Sequence, residues 1–334
     1  MLFNTWGIAL SIISLCALFL IGTASRTAIR VLRHWNPDSD SSRQIQLESE
    51  IWLSSTLIAY GLGFQIISLL LFVLAADHFS GMIIGAMCAT GSFLANSYGI
   101  PVLLIKIAGV FLYGIWIILH HLDIRSEHYP LIKVKYWYLV AILPYLLIEI
   151  ILQTLYLTEL SPEIITSCCA VFFGGQEQLG QNLLGAYSTT GLMTTFYIVT
   201  GLLFCLCLYQ LSSRKLPTII SVGAGLVWIL FLILSLVVIT VVVSSYIYAM
   251  PYHHCPFCIL KAEYHGWGYP IFFTLFLAVF SGLSHVIAGL CYDLPGLALP
   301  VKKLQALTTK CALIMLGVFV LLSSYHIWAY MFFA

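Results

Sequence analysis

The sequence predicts an all-α polytopic membrane protein, a bundle of about eight transmembrane helices with both termini extracytoplasmic. Three observations predict it. Charged residues make up 8% of the 334 residues and hydrophobic ones 61%, and mean hydropathy is +1.01, whereas a soluble domain carries roughly a quarter charged residues. Eight mostly apolar runs are long enough for a ~30 Å hydrocarbon core. Basic residues are concentrated in alternate connections, the pattern that orients helices with their basic ends towards the cytoplasm. No polar segment is long enough to fold separately, so residues 1–334 are read as a single integral membrane domain. A net charge of +1 without a basic tract gives no footprint for nucleic acid.

The spans fall near 3–24, 52–76, 98–120, 136–158, 191–211, 218–249, 269–291 and 309–332. The first has Arg26, Arg30 and Arg33 after it and no basic residue before it. That is the reverse of a secretory signal, and it predicts a retained first helix with its N-terminus outside. The connection 25–51 adds Arg43, 121–135 holds Arg125, Lys133 and Lys135, 212–217 holds Arg214 and Lys215, and 292–308 holds Lys302 and Lys303. The connections 77–97 and 159–190 have no Lys or Arg, and 250–268 has only Lys261. The sixth span is longer than a bilayer needs, and Gly223 and Gly225 are its candidate bends. Within the outer connections, Gly81 to Leu94 and Ile164 to Gly174 are apolar but too short to span, and are read as re-entrant or interfacial segments.

Those same outer connections carry Cys88, the pair Cys168 and Cys169, and the motif Cys255-Pro256-Phe257-Cys258. The extracytoplasmic side is oxidising, and there thiols pair, bind metal or do redox chemistry. Cys16, Cys205, Cys207, Cys291 and Cys311 fall in spans or near cytoplasmic ends, and are read as small apolar packing residues. A Cys-x-x-Cys pair holds two sulfurs close enough to bond or to share a metal. At the start of a helix it also gains a lowered thiol pKa. Here the pair comes just before the seventh span, and three states stay open: a redox pair, a metal site or a structural disulfide.

The run Cys255-Pro256-Phe257-Cys258-Ile259-Leu260-Lys261 resembles the Cys-Pro-Leu-Cys-Ile-Leu-Gln-Arg stretch of the DsbB family. Those inner-membrane proteins pass electrons from periplasmic thiols to quinone, within a wider set that includes the vitamin K epoxide reductase-like proteins. The resemblance implies that Cys255 and Cys258 are the quinone-proximal pair, and that Cys88 with Cys168 or Cys169 forms a partner-facing pair. Lys261 is the basic residue nearest to the family's arginine, whose place Ala262 takes. A periplasmic thiol protein as partner, quinone as cofactor and the bacterial inner membrane as location follow from the same resemblance.

A metal site is the second reading. His253, His254, Cys255, Cys258 and His265 supply N and S ligands suited to zinc or copper. A third reading is a non-catalytic anchor subunit of a larger respiratory or assembly complex. Tyr246, Tyr248, Tyr252, Trp267 and Tyr269 fit an interfacial aromatic belt.

Inside the spans, Lys106 and Glu149 lie at matching depths on neighbouring, oppositely directed helices. An unpaired charge there costs at least several kcal/mol, so a pair is expected, serving either as a lock or as a proton or quinone contact. Pro144 is a candidate kink just before Glu149. His285 and His326 differ in depth by about 16 Å at 1.5 Å per residue, which disfavours a bis-histidine haem. They are expected to hydrogen-bond nearby serines such as Ser281, Ser284, Ser323 and Ser324.

Overall fold

A computed structural model describes residues 1–35, 41–126, 129–163, 188–212, 217–250 and 253–333. The elements are α1 (Thr5–His34), α2 (Ser42–Ser80), α3 (Ala89–Leu94), α4 (Gly99–Asp123), α5 (Ile132–Glu159), α6 (Thr189–Ser212), α7 (Thr218–Val238), α8 (Ser244–Tyr248), α9 (Gly268–Leu290) and α10 (Ala298–Phe333). A π-helical turn, Ile239–Val243, joins α7 and α8 into one span. Among the described residues there is no strand, and eight helices are long and apolar enough to cross a membrane.

The distribution of side chains is inverted relative to a soluble protein. Ile12, Leu15, Phe19, Leu226, Leu230 and Ile233 are exposed, while Ser68, Gln153, Lys106 and Glu149 are buried. Hydrocarbon makes such an arrangement favourable, because apolar side chains need no cover there and polar ones must find partners inside. The chain is an integral membrane protein whose outward-facing apolar residues contact lipid.

The chain divides into two compact units. The first comprises Met1–Ile84, Ser92–Thr166 and Cys291–Val301. In it α1 packs along α2 and α5, and α4 packs against α2 and α5. Its core gathers Ile21, Ala28, Leu62, Trp116, Tyr136 and Leu146. Asn4 caps α1 by accepting the Trp6 N–H, and Ser41 caps α2 by accepting the Gln44 N–H. Helix α2 starts well before the apolar run that announces it. Its polar first turns bury Leu47 and Ile51, and its Glu50 meets Arg30 of α1 at 2.7 Å. Helix α5 runs unbroken through Pro144.

The second unit comprises Gly85–Gly91, Ser167–Leu290 and Lys302–Ala334. Helix α7 packs on α6 and α9. An aromatic core joins Phe196, Trp228, Phe231 and Phe319, with Phe231 edge-on to Phe319 at 6.1 Å. Gly282 of α9 permits this packing, since a Cβ there would lie 2.1 Å from the Trp228 ring. The irregularity in the sixth span is at Ile239–Val243, not at Gly223 and Gly225, around which the helix is regular. Two hydroxyls fold back onto preceding carbonyls at this point, Thr240 onto Leu236 at 2.8 Å and Ser244 onto Thr240 at 2.7 Å. Such back-bonding competes with the ordinary helical ladder, and single π turns often mark functional sites.

A candidate thiol site

The site lies wholly in the second unit and is built on connections. Ala249, at φ 53, takes the left-handed conformation that ends α8, and its N–H returns to the last turn. The chain then runs through His253 and His254 to Cys255. The Tyr248 hydroxyl donates to the Cys255 carbonyl, and the His254 ring hydrogen-bonds the backbone of Val241, inside the π turn. The widened turn and the last turn of the span therefore both grip the cysteine connection.

Cys258 opens a 3-10 turn, Cys258–Leu260, and a second, Ala262–Tyr264, follows it. His265 and Gly266 have positive φ, and α9 begins only at Gly268. The Cys-x-x-Cys pair therefore does not sit on the first turn of the seventh span. Gly268 allows the close return, because a Cβ there would lie 2.8 Å from the Ile259 side chain and 3.1 Å from its backbone.

The other half of the site is the segment Gly85–Gly91. Gly85 has φ 85, and Cys88 immediately precedes α3, its carbonyl accepting the Gly91 N–H at 2.9 Å. The short helix accounts for part of the apolar stretch 81–94 that is too short to span. Lys261 fastens the two halves, its Nζ donating to the Met87 carbonyl at 2.7 Å.

These constraints bring three sulfurs together. Cys88 Sγ lies 3.3 Å from Cys255 Sγ, and the Sγ atoms of Cys88, Cys255 and Cys258 are all within 4.8 Å of one another. The three residues are 1%, 0% and 6% exposed. The Thr90 hydroxyl is 3.3 Å from Cys255 Sγ. Burial pushes the His253 imidazole below its usual range, against an opposing pull from Cys88. Burial does the same to His254, against its bond to Val241. Both rings are thereby kept neutral near pH 7.

The ligand set expected from 253–265 is rearranged. Among the described residues, the sulfurs of Cys255 and Cys258 group with Cys88, and no histidine joins that group. His265 is exposed, carried outward by its left-handed backbone. Cys168 and Cys169 lie outside the described residues. Sequence reasoning passed over Thr90, two residues after Cys88, and treated Tyr248 as belt, whereas its hydroxyl holds the Cys255 carbonyl.

Lys106 and Glu149 belong to the first unit. Lys106 Nζ meets Glu149 Oε1 at 2.8 Å and donates to Ser68 Oγ at 2.9 Å, and Tyr113 donates to the second carboxylate oxygen. The pair anticipated from depth is present, with both carboxylate oxygens engaged. A second buried pair, Lys135 with Asp123 at 2.8 Å, was not anticipated. Asp123 also accepts the Leu131 N–H at 2.9 Å and so closes the α4–α5 connection. His285 bonds the Thr309 hydroxyl at 2.7 Å rather than a serine, because α10 presents Thr309 to it while Ser284 bonds back to Phe280. His326 stands edge-on to Trp267 and Tyr325, which stack on each other.

The chain matches no protein-family model, no curated protein and no solved structure. Fold and site together define a polytopic helical membrane protein with a buried three-thiol cluster gathered from two connections.

Proposed function

We propose that this protein is a membrane thiol–disulfide oxidoreductase in which Cys255 and Cys258 form the redox pair and Cys88 is the exchanging thiol. One observation carries the reading: the third sulfur is 3.3 Å from Cys255 Sγ, close enough for attack after a small adjustment. Exchange needs a thiolate that reaches a disulfide sulfur and forms a mixed disulfide.

Starting from a Cys255–Cys258 disulfide, the Cys88 thiolate attacks Cys255 Sγ. The Cys88–Cys255 bond forms and Cys258 leaves as a thiolate, with no net electron transfer. An extracytoplasmic dithiol protein then attacks Cys88, releases Cys255, and closes its own disulfide as Cys88 departs. Two electrons and two protons from the Cys255 and Cys258 thiols pass to a quinone, which re-forms their disulfide. The Cys-Pro-Phe-Cys-Ile-Leu resemblance supports the quinone and a bacterial inner-membrane setting. With Lys261 held on the Met87 carbonyl, its part here is to keep Cys88 in reach.

The test uses purified full-length protein, differential alkylation read by mass spectrometry, and quinone reduction followed by absorbance. Supply of a dithiol peptide should drive quinone reduction that Cys258→Ser abolishes, while mild oxidation of that variant traps a Cys88–Cys255 cross-link. Cys205→Ser, at an exposed position on α6, should behave as the parent. Alkylation states indifferent to both quinone and dithiol would remove the catalytic reading and leave a structural membrane subunit.

A further inference from the structure

We infer that the reduced cluster of Cys88, Cys255 and Cys258 is a three-coordinate thiolate site for a soft monovalent cation, copper in its +1 state. This goes beyond the redox reading and does not depend on it, since it concerns the reduced protein without quinone.

Ligand count and type fit such an ion. The three sulfurs lie within 4.8 Å of one another, and a trigonal ion with bonds near the ~2.3 Å of zinc–thiolate contacts needs its sulfurs roughly 4 Å apart. Small rotations of three side chains satisfy that. Thiolates are soft ligands that suit Cu(I), zinc and iron–sulfur clusters, so ligand number has to separate these. Structural zinc takes four ligands almost without exception. Here the group stops at three among the described residues, and the Thr90 hydroxyl, 3.3 Å from Cys255 Sγ, is a hard donor.

Burial also calls for a cation. Thiolates that are 0–6% exposed are costly without a cation. Lys261 is held at the carbonyl of Met87, the residue before Cys88, and a bound monovalent ion places positive charge among the sulfurs themselves. The scaffold is prepared before metal arrives: the Tyr248 hydroxyl fixes the Cys255 carbonyl, and the Gly268 approach fixes the turn carrying Cys258. Outer contacts of this kind orient metal ligands. Binding displaces the thiol protons without electron transfer. The metal-loaded and disulfide states exclude each other, because the Cys255–Cys258 bond removes two of the three ligands.

The experiment is an anaerobic titration of Cu(I) into fully reduced full-length protein in detergent, against a chromogenic copper chelator, with X-ray absorption on the loaded sample. The expected result is one copper per chain in a sulfur-only, three-coordinate shell. Cys88→Ser and, separately, Cys258→Ser should each weaken binding by more than ~100-fold, beyond the usual loss from an outer-shell change. Cys205→Ser should leave it unchanged, and a parent-like elution profile for each variant shows that folding is retained. Zinc held four-coordinate with an imidazole nitrogen, with copper failing to displace it, overturns the assignment. So does copper retention that survives both cysteine variants. Quinone-linked thiol oxidation is measured separately, so each reading can fail without the other.

Discussion

The two units handle buried polarity in opposite ways. The first unit buries full charges and pairs them between helices: Lys106 with Glu149 and Lys135 with Asp123, each at 2.8 Å. The second gathers neutral-capable thiols from two connections and holds them with backbone contacts from Tyr248 and Lys261. A buried ion pair acts as a lock, since neither partner can leave without stranding the other. A thiol cluster changes state by losing protons, bonding internally or taking a metal. On the proposed function, the first unit supplies rigidity and the second the chemistry.

Stranding one charge of a pair is the most severe test of the lock. Glu149→Ala leaves the Lys106 ammonium buried with the Ser68 hydroxyl and the Phe72 ring but no counter-charge, and removing one member of a buried pair costs about 3–5 kcal/mol. Thermal unfolding in detergent, followed by tryptophan fluorescence, should fall sharply. The double replacement Lys106→Met with Glu149→Leu should restore most of the loss, because apolar residues of similar volume substitute well for such pairs. A double variant that recovers its stability but not quinone reduction would show that the pair belongs to the chemistry and not only to the lock.

The same contrast explains what the sequence revealed. Helices carry a ruler of ~1.5 Å per residue, so counting inward from the ends of two apolar runs placed Lys106 and Glu149 at one depth. Connections have no such ruler. Cys88 was expected in a separate pair with Cys168 or Cys169, and only the path of Gly85–Gly91 shows that its sulfur lies beside Cys255 and Cys258. The Lys135–Asp123 pair escaped for a related reason. Both residues sat in a stretch read as a solvated basic connection, but α4 ends at Asp123 and α5 takes in Lys135, which buries both. Eight spans were legible because lipid demands long apolar runs. Their polar extensions, as in the first turns of α2, depend on tertiary partners such as Arg30.

A smaller effect tests whether the second unit depends on close approach in the way the first depends on charge. Gly268→Ala forces the Ile259–Leu260 turn outward, and overpacking of this kind costs about 1–3 kcal/mol. The displaced turn carries Cys258, so the signature is local: Cys258 should alkylate faster than in the parent, with the Lys106–Glu149 region unaltered. A stability loss without any change in cysteine reactivity would mean that the turn and the thiols are not mechanically linked.

The response of the second unit to pH is slighter still. Burial lowers both His253 and His254, opposed in the first by Cys88 and in the second by the Val241 backbone bond. Their folded pKa values therefore lie below the ~6.5 of an unfolded histidine. As pH falls, an opened 253–265 segment takes up protons before the closed one does. The stability these rings contribute is fully present above ~6.5 and drains away as pH drops through the folded values. Amide hydrogen exchange at about pH 7.5 and about pH 5.5, corrected for intrinsic rates, reads this directly. Protection across 253–265 should weaken at the lower pH, while α4 and α5 near Lys106 and Glu149 hold theirs. The His254→Gln variant should lose part of that response, because an amide can keep a hydrogen bond to Val241 but cannot titrate. Equal protection at both pH values would mean that the connection never opens far enough to wet its histidines, which would make the thiol site as rigid as the charge-locked unit.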